Sequence, residues 1–317
     1  MYDILFRNIS VIDGTGAPAY IGNVAVKDGK IVMNPAGEAA ETVDGTGLTL
    51  CPGFIDAHSH GDLILGTESG RVCKTTQGIT TEFGGQCGDT LFPASTDPKL
   101  VEMLAKKVSI CVDTLPDISK FTTMENYLDW AKDQYVTCHY TLLTGHSNLR
   151  IAAMGFDNRK PTEAEMEHMK SMLREAMEHG SKGLSSGLIY SPSCFADEDE
   201  LVELCKIVAE YGGFYATHMR NEAGSVLESV RDSIAVAERS GVAKKDADRV
   251  LNAALELIAA TLAKGEKVQL SGFGNFEVRE REARMGRNPH TGEAVSIPAA
   301  KVPVFKPSKL LKDSVGK

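Results

Sequence analysis

Beyond residue 205 the sequence contains no cysteine, although seven precede it, at positions 51, 73, 87, 111, 138, 194 and 205. An odd number at irregular spacing excludes a regular disulfide framework and leaves reduced thiols, most of them read as small buried hydrophobes. Long hydrophobic runs are missing too, since none approaches the roughly 20 residues of a membrane-spanning helix. The opening Met1-Tyr2-Asp3-Ile4-Leu5-Phe6-Arg7 has no basic segment followed by an apolar stretch, so no secretory leader is expected and a cytoplasmic location is. Internal repeats, low-complexity stretches and linker-like segments are absent. That excludes a solenoid and argues against two complete domains joined by a tether.

Positive charge is scarce in one part of the chain only. Residues 1–241 hold 20 Lys and Arg against 34 Asp and Glu, a net −14, while residues 242–317 hold 14 against 9, a net +5. The first part would repel a polyanion and the second would attract one, so the two have different partners. The 317 residues, 42% of them hydrophobic, suffice for about two domains.

Residues 1–50 read as short strands and turns, with hairpin signals at Asp13-Gly14 and Asp28-Gly29. From about residue 50, apolar runs at 49–58, 78–85, 136–144, 183–190 and 213–218 alternate with helical patterns, notably at 162–179 and 198–211. Thr162 with Glu165 forms a capping-box pattern. Five parallel strands of this kind make most of a (β/α)₈ barrel, which needs eight.

Asp56-Ala57-His58-Ser59-His60 places two imidazoles two residues apart at a strand end, where both point the same way. Cys87 ends the second strand and His218 the fifth. Imidazole and thiolate are good zinc ligands, and barrel sites sit at the C-terminal ends of strands. His168 and His179 are expected to be solvated, His139 to pack in a core, and His146 to end a strand near the pocket.

Pro52-Gly53-Phe54-Ile55-Asp56-Ala57-His58-Ser59-His60-Gly61-Asp62 resembles the signature of the amidohydrolase superfamily. With Gly145-His146, Gly183-Leu184-Ser185-Ser186-Gly187-Leu188-Ile189-Tyr190 and Thr217-His218-Met219-Arg220-Asn221-Glu222, the likeness narrows to D-aminoacylases over residues 1–240. The resemblance implies zinc-dependent hydrolysis of an N-acyl-D-amino acid, with His58, His60, Cys87 and His218 as metal ligands and Tyr190 against substrate. Gln86 stands where that family has Asn, and Glu82-Phe83 where its strand is more aliphatic. A further His ligand and the catalytic Asp base of the family would lie after residue 240, where the resemblance has stopped. No residue is assigned as general base, and the fragment is expected to be inactive.

The second part carries a different chemistry. Arg279 and Arg281 share one strand face, and Arg284 and Arg287 lead to Asn288-Pro289 at a hairpin tip. Arginines read minor-groove width while a proline wedge kinks the duplex. Lys301, Lys306, Lys309 and Lys312 add charge for phosphates. Residues 236–317 resemble the HU/IHF family of DNA-bending proteins, carried by Gly241-Val242-Ala243-Lys244-Lys245, Leu270-Ser271-Gly272-Phe273-Gly274-Asn275-Phe276, Gly286-Arg287-Asn288-Pro289-His290-Thr291-Gly292 and Val302-Pro303-Val304-Phe305-Lys306-Pro307. The resemblance implies a homodimer on double-stranded DNA, and hence a nucleoid location.

The expected organisation is therefore α/β followed by α+β. Residues 1–50 form a partial β-sandwich and residues 51–235 an incomplete amidohydrolase barrel of about five strands. Residues 236–317 form an HU-like base and β-ribbon arm without the family's first helix. The stripe Leu227, Val230, Ile234, Ala237 continues the barrel helix, so the seam falls near Ala235–Val236 inside one helix. Three readings stay open: a DNA binder, a zinc-dependent deacylase, and a non-functional hybrid from a gene fusion, a construction or an assembly error.

Overall fold

The computed structural model describes residues 1–112, 114–242, 257–270, 274–287 and 294–315. Two compact units are present. The first comprises Met1–Asp56, Val72–Thr81 and Thr137–His139, and the second Ala57–Arg71, Glu82–Val136 and Tyr140–Lys317.

Residues 1–50 form one five-stranded sheet. Strands β1 (Tyr2–Val11), β2 (Tyr20–Lys27), β3 (Lys30–Met33) and β4 (Ala39–Asp44) lie in the order β3-β2-β1-β4, and β5 (Thr49–Leu50) also pairs with β1. Asp28 and Gly29 make a two-residue turn with φ 50° and 70°, the conformation a primed hairpin turn requires. Asp13-Gly14 does not close a tight hairpin as expected. Its connection spans residues 12–19, and Asp13 accepts hydrogen bonds from the Thr15 amide and hydroxyl at 3.0 and 2.7 Å.

The run expected as one strand over 49–58 is broken by Cys51-Pro52-Gly53 into β5 and β6 (Phe54–Asp56). Proline has no N–H to give a ladder. β6 lies in a three-stranded sheet in the order β6-β7-β8, with β7 at Ile79–Gly84 and β8 at His139–Leu142. The run at 136–144 divides likewise, because β9 (Thr144–Gly145) joins a different sheet. There β10 (Gly183–Gly187) pairs in parallel with β9 and with β11 (Phe214–His218). His139 is exposed at the start of β8 rather than packed in a core.

Helices α1 (Glu68–Thr75), α2 (Pro98–Val108), α3 (Met124–Lys132), α4 (His146–Met154), α5 (Glu163–Glu178) and α6 (Glu198–Glu210) intervene. The capping box of α5 is present as read from sequence. Leu149, Met169, Leu173, Leu184, Leu201 and Leu204 make a core shared by α4, α5, α6 and β10. His146 begins α4 instead of lining a pocket. It is fully buried, with Nδ1 2.8 Å from the Ser193 hydroxyl and Nε2 2.9 Å from Glu200, whose other oxygen accepts from Arg150 at 2.5 Å.

Helix α7 (Val226–Ser240) runs unbroken across residues 235–236 and stops at Gly241, whose φ of 78° suits a helix cap. Its buried face is not the expected one. Ser229, Val236 and Ser240 are inside, whereas Leu227, Val230 and Ile234 are 53%, 37% and 42% exposed. Val236 and Val242 pack into the core beneath α6. The two buried serines are bonded locally, Ser229 Oγ accepting from the Asn221 amide at 3.0 Å and Ser240 Oγ donating to the Ala237 carbonyl at 3.4 Å.

The remaining described residues are a helical stretch at 257–263 (α8), a sheet in the order β12-β13-β16, a hairpin of β14 with β15, and α9 (Lys309–Val315). The strands are β12 (Val268–Leu270), β13 (Gly274–Arg281), β14 (Arg284–Arg287), β15 (Ala294–Ile297) and β16 (Ala300–Pro307).

Candidate metal centre and nucleic-acid arm

His58 and His60 follow β6 on either side of buried Ser59, so alternation turns both imidazoles to one side. Their rings meet edge to face at 5.7 Å. Cys87 arrives from the turn after β7. Its φ is 55°, a left-handed backbone that only Gly, Asn and Asp adopt readily, and φ is also positive at Gly85 and Gly88. Such strain costs roughly 1–3 kcal/mol and persists where surrounding contacts over-determine it. Those contacts are close: a Cβ at Gly85 would run into the Leu143 carbonyl, and one at Gly187 into the Cys87 carbonyl. The Gly88 amide donates to the Ser185 hydroxyl at 3.0 Å, and that hydroxyl donates to the Gly85 carbonyl at 2.5 Å.

The result is convergence. The donor atoms of His58, His60 and Cys87 lie within 4.8 Å of one another. Cys87 Sγ is 3.5 Å from His58 Nε2 and 3.8 Å from His218 Nδ1. In a tetrahedral zinc site, Zn–N and Zn–S bonds of the usual lengths put N and S about 3.5 Å apart. The donor set and its spacing therefore fit a zinc-sized cation. Burial first, then Asp89 and Glu222, pushes the Cys87 thiol above its ordinary value, so a cation would have to supply the countercharge for a thiolate.

Tyr190 lies beyond the end of β10, with its hydroxyl 3.3 Å from His218 Nδ1 and its ring edge to face with the imidazole at 4.9 Å. Three neighbours were not foreseen. Glu222 lies 3.2 Å from His218 Nε2. Lys107 pairs with Asp89 at 3.0 Å and stands 5.5 Å over the Tyr190 ring. Glu222 could have been found, because it is four residues after His218 within the same motif.

The second constellation is a ribbon. β13 and β16 pair antiparallel from Gly274↔Pro307 to Arg281↔Ala300. Arg279 and Arg281 are exposed on one face, and the register puts Lys306 on that face as well. Lys301 is opposite Glu280 and so occupies the other face, 3.5 Å from that carboxyl. Lys306 pairs with Glu277 at 2.5 Å, and Phe276 stacks on Phe305 at 4.8 Å. Lys309 opens α9 and is exposed. Arg284 and Arg287 bound β14, while Asn288 and Pro289 lie outside the described residues.

The bacterial DNA-binding protein family model matches residues 203–316. DNA-binding protein HU of Geobacillus stearothermophilus is 64% identical over 81 residues, covering 26% of this chain and 90% of that protein. Through this region the chain belongs to the HU family. The HU match is joined to a D-aminoacylase-like amidohydrolase region. N-acyl-D-aspartate deacylase of Alcaligenes xylosoxydans xylosoxydans is 33% identical over 242 residues, which cover 74% of this chain and 46% of that enzyme. The chain thus spans about half the length of the deacylase it matches. N-acyl-D-glutamate deacylase from Bordetella bronchiseptica, solved with zinc and a phosphonate inhibitor, superposes with a TM-score of 0.66 at 29% identity, over 91% of this chain and 64% of that one. The HU family model begins at residue 203, within α6 and upstream of the expected seam.

Proposed function

We propose that the chain binds double-stranded DNA without strong sequence preference through its HU-like region, as a homodimer. Arg279, Arg281, Arg284 and Arg287 would line the minor groove, Asn288 and Pro289 would wedge its base steps, and Lys301, Lys306 and Lys309 would meet phosphates. The observation that carries this reading is the exposed face shared by Arg279, Arg281 and Lys306 on the β13–β16 ribbon. Binding would place the protein at the nucleoid. Among the described residues no helix is long and apolar enough to cross a membrane. A gel shift on random-sequence duplex at rising salt tests the reading. Binding that ignores salt, or no binding at low salt, would sink it, because neutralised phosphates release counterions.

For residues 51–235 the favoured reading is an incomplete barrel that holds zinc without turning over an N-acyl-D-amino acid, with residues 236–317 as the HU-like part and the seam in α7. The convergence of His58, His60 and Cys87, with His218 on the same sulfur, supports the metal. Zinc bound there would acidify a water and polarise an acyl carbonyl. Tyr190 would orient a substrate against His218, a reading supported by its hydroxyl 3.3 Å from the His218 Nδ1. The general base would have to come from sequence that the HU-like region replaces. The outward stripe Leu227, Val230, Ile234 and the position of β11 at the end of its sheet support an interrupted barrel. Deacylation by the purified full chain at rates above free zinc would instead favour a working deacylase. Reading the source gene across codons 225–250 separates a true fusion from an artefact.

A further inference from the structure

We infer that Glu82 is a positioning residue for the His58 and His60 limb of the metal centre, acting through Ser59. This rests on the metal-binding reading above. Ser59 lies between the two imidazoles in sequence and, by alternation, points away from them into the interior. Its hydroxyl donates to Glu82 Oε2 at 2.5 Å and accepts from the Gly61 amide at 3.0 Å. Its own amide donates to the Phe83 carbonyl at 3.0 Å. Ser59 is thereby tied twice to β7, and Gly61, on the other side of His60, is tied to Ser59.

Glu82 is fully buried. A buried carboxyl costs several kcal/mol unless its oxygens are hydrogen-bonded, and an apolar side chain would fill the same volume without that penalty. Both oxygens are used: Oε2 by Ser59, and Oε1 by the Tyr140 hydroxyl at 2.9 Å. Gly61 completes the fit, because any Cβ at that position would run into the Glu82 carboxyl. β7 continues from Glu82 directly to Gly84 and the Cys87 turn. One carboxyl therefore sets the loop carrying two nitrogen donors against the strand that delivers the sulfur. Groups of this kind behind metal ligands typically alter affinity 10–100-fold.

A role in folding alone makes a different forecast, and two hydroxyls on the same carboxyl separate the two roles. Ser59→Ala and Tyr140→Phe each remove one donor from Glu82, but only the first releases the ligand loop. Zinc affinity of the full chain, measured by competition with a chromophoric chelator, should fall about tenfold or more in Ser59→Ala and stay within about twofold in Tyr140→Phe. Ser59→Thr, which keeps the hydroxyl, should restore it. The visible spectrum of the cobalt-loaded chain should change in Ser59→Ala alone. Equal zinc affinity in wild type and Ser59→Ala, or equal losses in Ser59→Ala and Tyr140→Phe, overturns the inference. Absence of zinc from the wild type overturns the metal reading first, and this one with it.

Discussion

The metal-centre candidates come from β6, from the turn after β7 and from β11, positions 58 to 218 in the sequence. The described DNA-arm candidates lie close together in sequence, with Arg279, Arg281, Lys301 and Lys306 on the β13–β16 ribbon, Arg284 and Arg287 in β14 and Lys309 in α9. A convergent site depends on every strand that surrounds it, so an interruption of the barrel removes some of its groups. A local site depends on its own hairpin and on the base that supports it, and it survives a join elsewhere. A second contrast runs along α7 and the residues after it. Val236 and Val242 pack into the core shared with α4, α5 and α6. Leu227, Val230 and Ile234 face out.

The comparison can be broken at several points. The largest effect should be on DNA. Raising salt from 50 to 200 mM should weaken duplex binding on the order of 10³-fold in a gel shift, given the number of cationic groups on the arm. Survival of tight binding at 200 mM would mean that the ribbon is not the contact surface. Next, Cys87→Ala should reduce zinc affinity by more than about 100-fold, since even supporting groups are worth 10–100-fold. Its DNA binding should not change, and a loss of both would show that the two regions are coupled. Third, Val236→Ala should lower stability by about 2 kcal/mol in urea unfolding, while Leu227→Ala and Ile234→Ala stay within about 0.5 kcal/mol. The reverse order would restore the stripe that periodicity suggested. Pro289→Ala should reduce duplex bending, read by fluorescence transfer between end labels, more than it reduces affinity.

The smallest effect concerns acid. Arg159 first, with the Thr162 hydrogen bonds, holds the Glu165 carboxyl down to about 2. A depressed carboxyl adds stability above its unfolded value of 4.5, and that stability is lost as pH falls from about 4.5 towards 2. The group sits near the surface at the start of α5, where solvent screens the ion pair. Glu165→Gln should therefore cost about 1 kcal/mol or less at neutral pH, with the difference shrinking in acid.

Periodicity made α5 and α6 readable to within about one residue at each end, helped at α5 by the Thr162 capping box, while the Asp197 cap of α6 was seen only in the structure. The metal-ligand candidates stood out in sequence because they lie at or just beyond apolar runs, and the structure brings His58, His60 and Cys87 together just past β6 and β7 and sets His218 at the end of β11. What failed had tertiary causes. The strands near residues 52 and 143 broke where proline or a change of sheet intervened. α7 hid Ser229, which holds the Asn221 amide of the preceding loop, and left Leu227, Val230 and Ile234 exposed. His146 was left open between core and pocket, and only the structure shows Glu200, 54 residues away, 2.9 Å from its Nε2. Glu82 was legible only as a departure from a more aliphatic strand, and its role waited on partners that sequence does not show, Ser59 and Tyr140.

Cys87 stands in a left-handed backbone that its neighbours impose. That backbone is indifferent to sulfur and favours glycine or asparagine. If the fused gene is inherited and its metal is no longer selected, drift at codon 87 should run towards those two residues. Sister sequences that keep cysteine there would bear a conformational penalty that metal retention would explain.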